Sequence, residues 1–365
     1  MTSGPITVSW LDSLAGVPRP VWDGLAAEGG FYVSHGWLSL QEHGSSSRRR
    51  YAVATRDGAL VGGLSVDEVE VVSNDFYRFG AVLPEGCAGP TAPMTLVGGR
   101  GGYASGFVLD PRADDAERTA AVRALLAEIA SASRERGRAA VFFYLQDRFR
   151  ELVLGTSEID EPLLARHDAT LHLPGSEWSD YLASLSRDRR GMIRREERRF
   201  AAAGYSVTAG DLTPWLDEAG LLLANVQRRY GHDADPADMT EVLAEQIAGL
   251  GEHVAFLCAD DQRLVAFALA FPFTDGSLSI RAVGFDYERL RGAAEYPNLA
   301  YYRPIRWAYE HGLRRLHLGI ESLHAKTLRG ARLAPLWVVP LGWSWSDATA
   351  IRRANAERAA DRESW

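Results

Sequence analysis

The sequence contains one lysine, Lys326, among its 40 basic residues, and the others are all arginines. Arginine replaces lysine freely on a solvated surface. In a tight site, however, a planar guanidinium cannot imitate a compact ammonium with three freely directed donors. The retention of Lys326 therefore favours a functional ammonium at this position. The alternative is a surface lysine that survived by chance.

A second concentration of charge lies between residues 187 and 199, where seven arginines accompany three acidic residues. If this segment is a helix, intervals of three and four residues bring four arginines to one face: Arg187, Arg190, Arg194 and Arg198. Bidentate guanidinium contacts on such a face would bind a phosphate-bearing substrate. The alternative is a solvated helix with Arg–Glu pairs along its surface.

The composition is typical of a globular protein of about two domains, with 365 residues, 46% hydrophobic and 24% charged. The net charge of −8 would repel nucleic acid or an anionic membrane unless basic residues are locally concentrated. The two cysteines, Cys87 and Cys258, are far apart and provide neither a disulfide framework nor a metal-ligand spacing. The first ten residues, MTSGPITVSW, do not show the basic and then apolar pattern of a secretory leader, and no apolar run approaches the ~20 residues of a membrane span. We therefore expect a cytoplasmic, soluble protein without a metal.

The elements that position these residues follow one order twice. In the first segment a hairpin turns at Asp57-Gly58, residues 73–104 are loop-like, and a helix ending at Gly137 leads into a buried strand. In the second, three strands are followed by a helix with Pro297 early, another strand and the Lys326 loop. We therefore expect an α/β fold with mixed sheets. The predicted domains are 1–172 and 173–345, followed by a helix or tail over 346–365.

Several motifs of the second segment carry a resemblance to a known family. They are NLAYYRPIRWAYEHGLRR from Asn298, LHLG from Leu316, KTLRG from Lys326, and the earlier SLSRDRRGMIRREERRFAAAG. Their order and spacing resemble the double-domain Fem-type branch, with its FemAB-like relatives, of the GNAT acyltransferase superfamily. The resemblance implies tandem GNAT-like domains, with the transfer site in the second domain.

Members of this branch form amides, many by taking an aminoacyl group from aminoacyl-tRNA. The resemblance thus implies transfer to the amine of a small molecule or peptide-like metabolite. It also implies an aminoacyl-tRNA donor bound through the basic helix, no DNA partner and no cofactor. Cell-wall members carry an acidic residue after a Gly-Pro in the first domain, where this chain has Thr91, which argues against a peptidoglycan precursor. The alternatives are an N-acyltransferase with acyl-CoA as co-substrate and a non-catalytic small-molecule binding protein.

Amide formation passes through a tetrahedral oxyanion, which a positioned cation stabilises by several kcal/mol, and Lys326 is the candidate for this role. The attacking amine must lose a proton, and the candidate bases are Glu321 and His324, which flank the strand end beside Lys326. Proton loss to solvent is the alternative. The candidate substrate-binding residues are Arg187, Arg190, Arg194, Arg228, Tyr230, Asp286 and Arg329.

The segment Arg289-Leu-Arg-Gly292-Ala-Ala294 is similar to the R-x-x-G-x-A pyrophosphate loop by which single-domain GNAT enzymes hold acyl-CoA. Such a loop must open directly onto a helix, because the helix N-terminus supplies the positive end that attracts phosphate. Residues 295–297 are expected to intervene before the helix here, which argues against a CoA site. The corresponding stretch of the first domain, LDPRADDAERTAA, lacks glycine and carries acids that would repel pyrophosphate.

Overall fold

A computed structural model describes residues 4–42, 47–72, 75–91, 93–156, 159, 161–261 and 263–363. The chain divides into two compact units: unit 1, Met1–Asp168 with Ala334–Trp365, and unit 2, Ala169–Leu333. The predicted second domain runs on to residue 345, whereas residues 334–345 belong to unit 1. The reason is a strand pairing with residues nearly 200 positions earlier, which no local sequence pattern reveals.

Up to residue 172 the strands are β1 (Thr7–Leu11), β2 (Arg48–Arg56), β3 (Ala59–Val69), β4 (Met94–Val97), β5 (Val108–Leu109), β6 (Ala139–Gln146) and β7 (Leu163–His172). The helices of this stretch are α1 (Arg19–Ala26), α2 (His35–Leu40), α3 (Asp115–Glu135) and α4 (Arg150–Leu154).

Beyond residue 172 the strands are β8 (Ser206–Gly210), β9 (Val254–Asp260), β10 (Arg263–Phe273), β11 (Ser277–Phe285), β12 (Arg315–Gly319) and β13 (Arg332–Leu341). The helices are α5 (Trp178–Ala183), α6 (Arg187–Ala202), α7 (Leu216–Arg229), α8 (Pro236–Leu250), α9 (Glu295–Pro297), α10 (Arg303–Glu310), α11 (Leu323–Thr327) and α12 (Ala348–Glu363).

In unit 1 the strands lie in the order β1-β2-β3-β4-β6-β13. All neighbours are antiparallel except β4 and β6, which run parallel from the pair Met94–Ala139 to the pair Val97–Phe142. Helix α3 joins the two parallel strands, as such a crossover requires. Beyond Val97 the chain leaves β6 and returns to it at a single bridge between Ser105 and Leu145.

Unit 2 has the same arrangement, in the order β8-β9-β10-β11-β12-β7. Its one parallel pair is β11 with β12, which extends only from Ser277–Arg315 to Ser279–His317. The helix between these strands begins as α9, passes through a π-helical turn at Asn298–Tyr302 and continues as α10. Each unit has its own buried apolar cluster. No helix of the described ranges combines the length and apolar character that crossing a membrane demands.

Several predicted elements are confirmed. The β2–β3 hairpin turns at Asp57 and Gly58, whose φ angles of 50° and 79° fit a tight hairpin turn. The three strands β9, β10 and β11 and the helices α3 and α6 also lie where the sequence predicts them. These elements have strong local signals, because apolar alternation or helical periodicity extends over their whole length.

Three local predictions are wrong. The predicted loop 73–104 contains β4, a strand of four residues that is stabilised by pairing on both edges. The predicted Lys326 loop is the short helix α11. The helix predicted from Pro297 begins at Glu295, directly after the Arg289–Ala294 loop. Proline is tolerated in a first helical turn, so Pro297 marks a position inside this helix rather than its start.

Candidate functional site

The site of unit 2 is built where β11 and β12 separate. Their last registered pair is Ser279 with His317, and beyond it β12 continues to Gly319 while β11 remains paired with β10 alone. Both strands are irregular at this level, with a register shift in β12 between His317 and Gly319. Ser279 is fully buried, and its hydroxyl has no hydrogen-bond partner within the described part of the chain. The separating strands therefore leave polar groups at their fork.

Lys326 lies at the end of this fork. Gly319 and Ser322, with φ angles of 74° and 53°, turn the chain back from β12 into α11. The turn brings the Lys326 ammonium within 2.5 Å of the Leu318 carbonyl oxygen and 3.0 Å of the Gly319 carbonyl oxygen, to both of which it donates. The residue is only 5% exposed. A buried charge held by two carbonyls at close range is the tight environment that favours lysine over arginine.

The two candidate bases lie at the N-terminus of α11. Glu321 precedes α11 and His324 lies in its first turn, and both residues are exposed. Asp286, a candidate for substrate binding, lies at the end of β11 and accepts hydrogen bonds from the backbone N–H groups of Glu288 and Arg289 at 3.2 and 3.3 Å. The Asp286 carboxylate thus closes a turn of the loop after β11.

The arginine-rich helix α6 is anchored by its apolar and acidic residues. Ile193 and Phe200 are buried, and Ser186 caps the first turn through the N–H group of Arg189. Glu197 pairs with Arg306 at 2.8 Å. This anchoring turns most of the arginines of the helix towards solvent.

Arg329 is the strongest anchor of α6. Its Nη2 donates to both carboxylate oxygens of Glu196, at 2.9 and 2.8 Å, and its Nε donates to the Tyr302 hydroxyl at 3.2 Å. Burial lowers the pKa of this guanidinium, but the Glu196 carboxylate and the hydrogen bonds to Glu196 and Tyr302 together raise it by more, so the cation is retained. Arg329, predicted to bind substrate, is 6% exposed and engaged with the protein itself.

A surface depression of about 480 Å³ lies along α6. Its lining residues are Gly191, Arg194, Arg195, Glu197 and Arg198. The three arginines are exposed, and none forms an ion pair with a carboxylate of the described residues. Of the four arginines predicted to share a face, Arg194 and Arg198 line the depression. Arg190 is half-buried and donates to the Leu185 carbonyl at 2.5 Å, and Arg187 is exposed at the start of the helix.

Two further candidates lie at the end of α7. Arg228 and Tyr230 are exposed, with Tyr230 at 63%. Their neighbour Arg229 stacks over the Tyr287 ring at 4.5 Å. Cations in the last turn of a helix complement its negative end, so this position has a structural use whether or not substrate contacts it.

The loop between β11 and α9 is closed by a residue that the sequence did not single out. The carboxylate of Glu295 accepts hydrogen bonds from the backbone N–H groups of Arg291 and Ala293, at 2.8 and 2.9 Å, and from the Tyr205 hydroxyl at 2.9 Å. Glu295 is 4% exposed. The one sequence signal for this role is a glutamate directly after the R-x-x-G-x-A segment. Such a glutamate is equally consistent with residues that separate the loop from the helix.

Unit 2 contains one cysteine, Cys258. Burial, together with the negative charge of Glu295, raises the pKa of the Cys258 thiol to about 12, so this cysteine is a poor nucleophile. The described residues contain no cluster of three or more His, Cys, Asp or Glu side chains that would hold a metal ion. The arrangement in unit 2 is a buried ammonium beside separating strands, with an exposed carboxylate and an exposed imidazole close to it in the sequence.

Residues 187–327 match the family model described as an acetyltransferase (GNAT) domain. This stretch runs from the first residue of α6 to the last of α11, so it includes Lys326 and the fork of β11 and β12. This part of the chain is thus similar to an acetyltransferase domain of the GNAT type. No curated protein sequence matches the chain.

Solved structures are similar to nearly the whole chain. FemX has a TM-score of 0.63 at 13% identity and covers 92% of this chain and 98% of its own. A conserved protein of unknown function from Bacteroides thetaiotaomicron has a TM-score of 0.59 at 12% identity, with coverage of 92% and 100%. L-PGS from Bacillus licheniformis has a TM-score of 0.55 at 12% identity, with coverage of 93% and 96%. At these identities the likeness establishes the fold, and the predicted class of mixed α/β sheets in tandem GNAT-like domains is confirmed.

Proposed function

We propose that the protein transfers an aminoacyl group from aminoacyl-tRNA to the amine of a small molecule or peptide-like metabolite. The observation that carries this proposal is the depression of α6. Arg194, Arg195 and Arg198 present three guanidinium groups, none in an ion pair with a carboxylate of the described residues, around about 480 Å³ of open space, on a chain whose net charge is −8. Arginine binds phosphate through paired N–H donors, and an RNA backbone presents phosphates at regular spacing.

The rigidity of α6 supports this use. The pairs Glu196–Arg329 and Glu197–Arg306 hold one side of the helix against its unit. The exposed arginines of the helix are therefore presented on a fixed scaffold, which lowers the entropy lost when phosphates bind. In a solvated helix stabilised by its own Arg–Glu pairs, Glu196 and Glu197 would pair with arginines of α6. Here Glu196 pairs with Arg329 and Glu197 pairs with Arg306, neither of which belongs to α6.

The chemical step follows from the groups at the fork. The amine attacks the carbonyl carbon of the aminoacyl ester, and the tetrahedral intermediate carries its negative charge on the former carbonyl oxygen. When the amide forms, the C–O bond to the ribose breaks and the ribose oxygen takes up a proton to leave as the tRNA hydroxyl. In this proposal the Lys326 ammonium stabilises that oxyanion. The proton lost by the amine passes to Glu321, His324 or solvent. Direct attack suits this unit, because the thiol of Cys258 is protonated and buried.

The experiment is incubation of the protein with a mixture of charged tRNAs and an amine library, followed by mass spectrometry, with and without ribonuclease. We expect an aminoacylated amine that disappears when the tRNA is digested. The Lys326→Met variant is the matched control for contaminating transferases. Product that forms from acyl-CoA after ribonuclease treatment would assign the other donor. Amine binding without any transfer, unaffected by Lys326→Met, would make the protein a binding module.

A further inference from the structure

The loop before α9 has the geometry of an anion-binding cradle. Gly292 and Ala294 both adopt left-handed backbone angles, with φ of 64° at each. Alternation of such residues with right-handed ones turns successive N–H groups towards one point, and the helix that follows adds its positive end. Because α9 begins at Glu295, with no intervening residues, the cradle opens directly onto the helix. The backbone thus provides what a pyrophosphate would require.

The anion in this cradle is supplied by the chain. One carboxylate oxygen of Glu295 accepts from Arg291 N and the other accepts from Ala293 N. The Tyr205 hydroxyl adds a third donor and also accepts from Arg291 N at 2.8 Å. Burial alone raises the pKa of this carboxyl, but the hydrogen bonds from Ala293, from the N–H of Glu295 itself and from Tyr205 outweigh it and lower the pKa. The carboxylate is therefore bound as an anion.

The cations of the loop are also engaged. Arg291 pairs with Asp260 at 2.6 Å, stacks over the Tyr205 ring at 4.9 Å and donates to the Ala203 carbonyl. Arg289 reaches the other oxygen of Asp260 at 3.5 Å. A bound pyrophosphate would have to displace the Glu295 carboxylate and compete with Asp260 for both guanidinium groups. These two acids would in addition repel it.

We propose that Glu295 is a specificity-determining residue that occupies the pyrophosphate cradle of the GNAT-type domain and thereby excludes acyl-CoA as donor. Acyl-CoA carries a pyrophosphate, whereas an aminoacyl ester on tRNA does not need this cradle. The carboxylate has the advantage over a free ligand because it is tethered beside the N–H groups that it binds. The choice of donor in this inference rests on the proposed function, but the closure of the cradle does not.

The experiment is calorimetric titration of the full chain with CoA and, separately, with inorganic pyrophosphate. The proteins are wild type, Glu295→Ala, Glu295→Gln and Glu288→Ala. The last is the matched control, because Glu288 is an exposed acid of the same loop without an ion pair among the described residues. We expect wild type and Glu288→Ala to bind neither probe up to about 1 mM. We expect Glu295→Ala, which opens the cradle, to bind pyrophosphate at least about tenfold more tightly than wild type does.

The outcomes are separable. Micromolar CoA binding by wild type, or a folded Glu295→Ala that gains no pyrophosphate affinity, would overturn the inference. If Glu295→Ala does not fold, the wild-type CoA titration and Glu295→Gln still decide. Glu295→Gln keeps the shape of the side chain but loses its charge. Pyrophosphate should therefore raise the melting temperature of Glu295→Gln but not that of wild type. Absence of tRNA-dependent transfer in a wild-type protein that also rejects CoA would refute the proposed function and leave the closed cradle intact.

Discussion

The two units share one strand order but differ where their parallel strands separate. In unit 1 the chain returns to β6 at Ser105, and the Tyr144 ring packs 4.3 Å from the Phe76 ring while its hydroxyl donates to the Phe76 carbonyl. In unit 2 nothing comparable bridges β11 and β12 beyond Ser279–His317 in the described chain, and the Lys326 ammonium lies at the fork. The same fold can close this gap with aromatic rings or retain charge in it. The family match, confined to residues 187–327, lies in the unit that retains charge.

The units also differ at the N-terminus of the helix that joins their two parallel strands, which is α3 in unit 1 and begins as α9 in unit 2. In unit 1, α3 starts with an ordinary capping box, in which Asp114 accepts from Glu117 N at 2.8 Å and Glu117 reaches back to Asp114 N. In unit 2, Ala294 is left-handed and Glu295 fills a loop that would otherwise bind an anion. Both units thus satisfy the helix start with their own carboxylates. The difference is that the Glu295 carboxylate in unit 2 also closes the cradle, whereas the Asp114 carboxylate in unit 1 only caps a helix.

The largest expected effect compares the buried ion pairs of the two units. Arg49 and Asp67 in unit 1 form two bonds of 2.9 Å and are 3% and 0% exposed. Arg49→Met should lower the free energy of unfolding by about 3–5 kcal/mol, because Asp67 is left buried without its partner. Arg329→Met in unit 2 should cost less, since the Glu196 side chain is 22% exposed. Urea unfolding measures both, and an equal or larger loss at Arg329 would contradict the comparison.

The second-largest effect concerns the places where the parallel strands separate, between β4 and β6 in unit 1 and between β11 and β12 in unit 2. Lys326→Arg should lower the rate of transfer about 100-fold to 1,000-fold, because a guanidinium cannot take the place of an ammonium held by two carbonyls. Tyr144→Phe removes one hydroxyl from the gap of unit 1 and should leave the rate within about twofold, with a stability loss of about 1 kcal/mol. Single-turnover kinetics with charged tRNA measure the rates. A Lys326→Arg variant with a near-native rate would remove the distinction between the units.

A smaller effect is expected from the depression of α6. Arg194→Gln with Arg198→Gln should raise the KM for charged tRNA about tenfold and reduce the slope of log KM against log salt concentration by about 2, because two phosphate contacts are lost. Arg199→Gln removes an exposed arginine of the same helix that does not line the depression. Equal effects of the two sets of variants would show that only the general charge of α6 matters.

The helix start of unit 2 should also respond to pH. The lowered pKa of Glu295 means that the folded state favours the ionised carboxylate. Its stabilisation is therefore complete above the ordinary glutamate pKa of about 4.3 and is lost as the pH falls through the lowered value. Glu295→Gln should cost about 1 kcal/mol at neutral pH, the size of a helix cap. The difference from wild type should shrink below about pH 4 in urea unfolding. A difference that is constant with pH would contradict this account.

The smallest effect tests the backbone of the same loop. Ala294→Gly should raise the stability by about 0.5–1 kcal/mol, because glycine adopts the left-handed conformation that strains alanine. Ala113→Gly, before the capping box of unit 1, lacks this strain and should not stabilise the protein. Thermal unfolding of both variants provides the comparison. Stabilisation by Ala113→Gly of the same size would show that the loop of unit 2 is not strained.

What the sequence predicts depends on how local the signal is. Strands β9 to β11 and helix α6 have periodic patterns over their whole length, and these predictions are confirmed. Strand β4 has only four residues among glycines and prolines, and its stability comes from its neighbours in the sheet. Strand β13 pairs with β6 almost 200 residues away, so the boundary of unit 2 had no local signal.

The candidate site shows the same limit. Lys326 was found because its residue type is unique in the chain, a signal that needs no structure. The roles of Arg329 and Glu295 depend on geometry, since one pairs with a residue 133 positions away and the other folds back onto its own loop. From the sequence alone, a glutamate that follows such a loop gives no sign that its carboxylate accepts hydrogen bonds from the loop. Which arginines of α6 face solvent was likewise set by the pairing of Glu196 and Glu197.

The return of the chain to unit 1 has a consequence for protein synthesis. Strand β6 pairs with β13, and the Leu164 N–H group is bound by Asn355 of α12, so unit 1 needs residues that are translated after those of unit 2. Unit 2 has all of its strands by residue 319. On the ribosome, the later unit is therefore finished first, and β6 keeps one bare edge until β13 emerges. An open strand edge invites pairing with other chains, so a nascent chain stalled near residue 333 should depend on chaperones for its first half rather than its second.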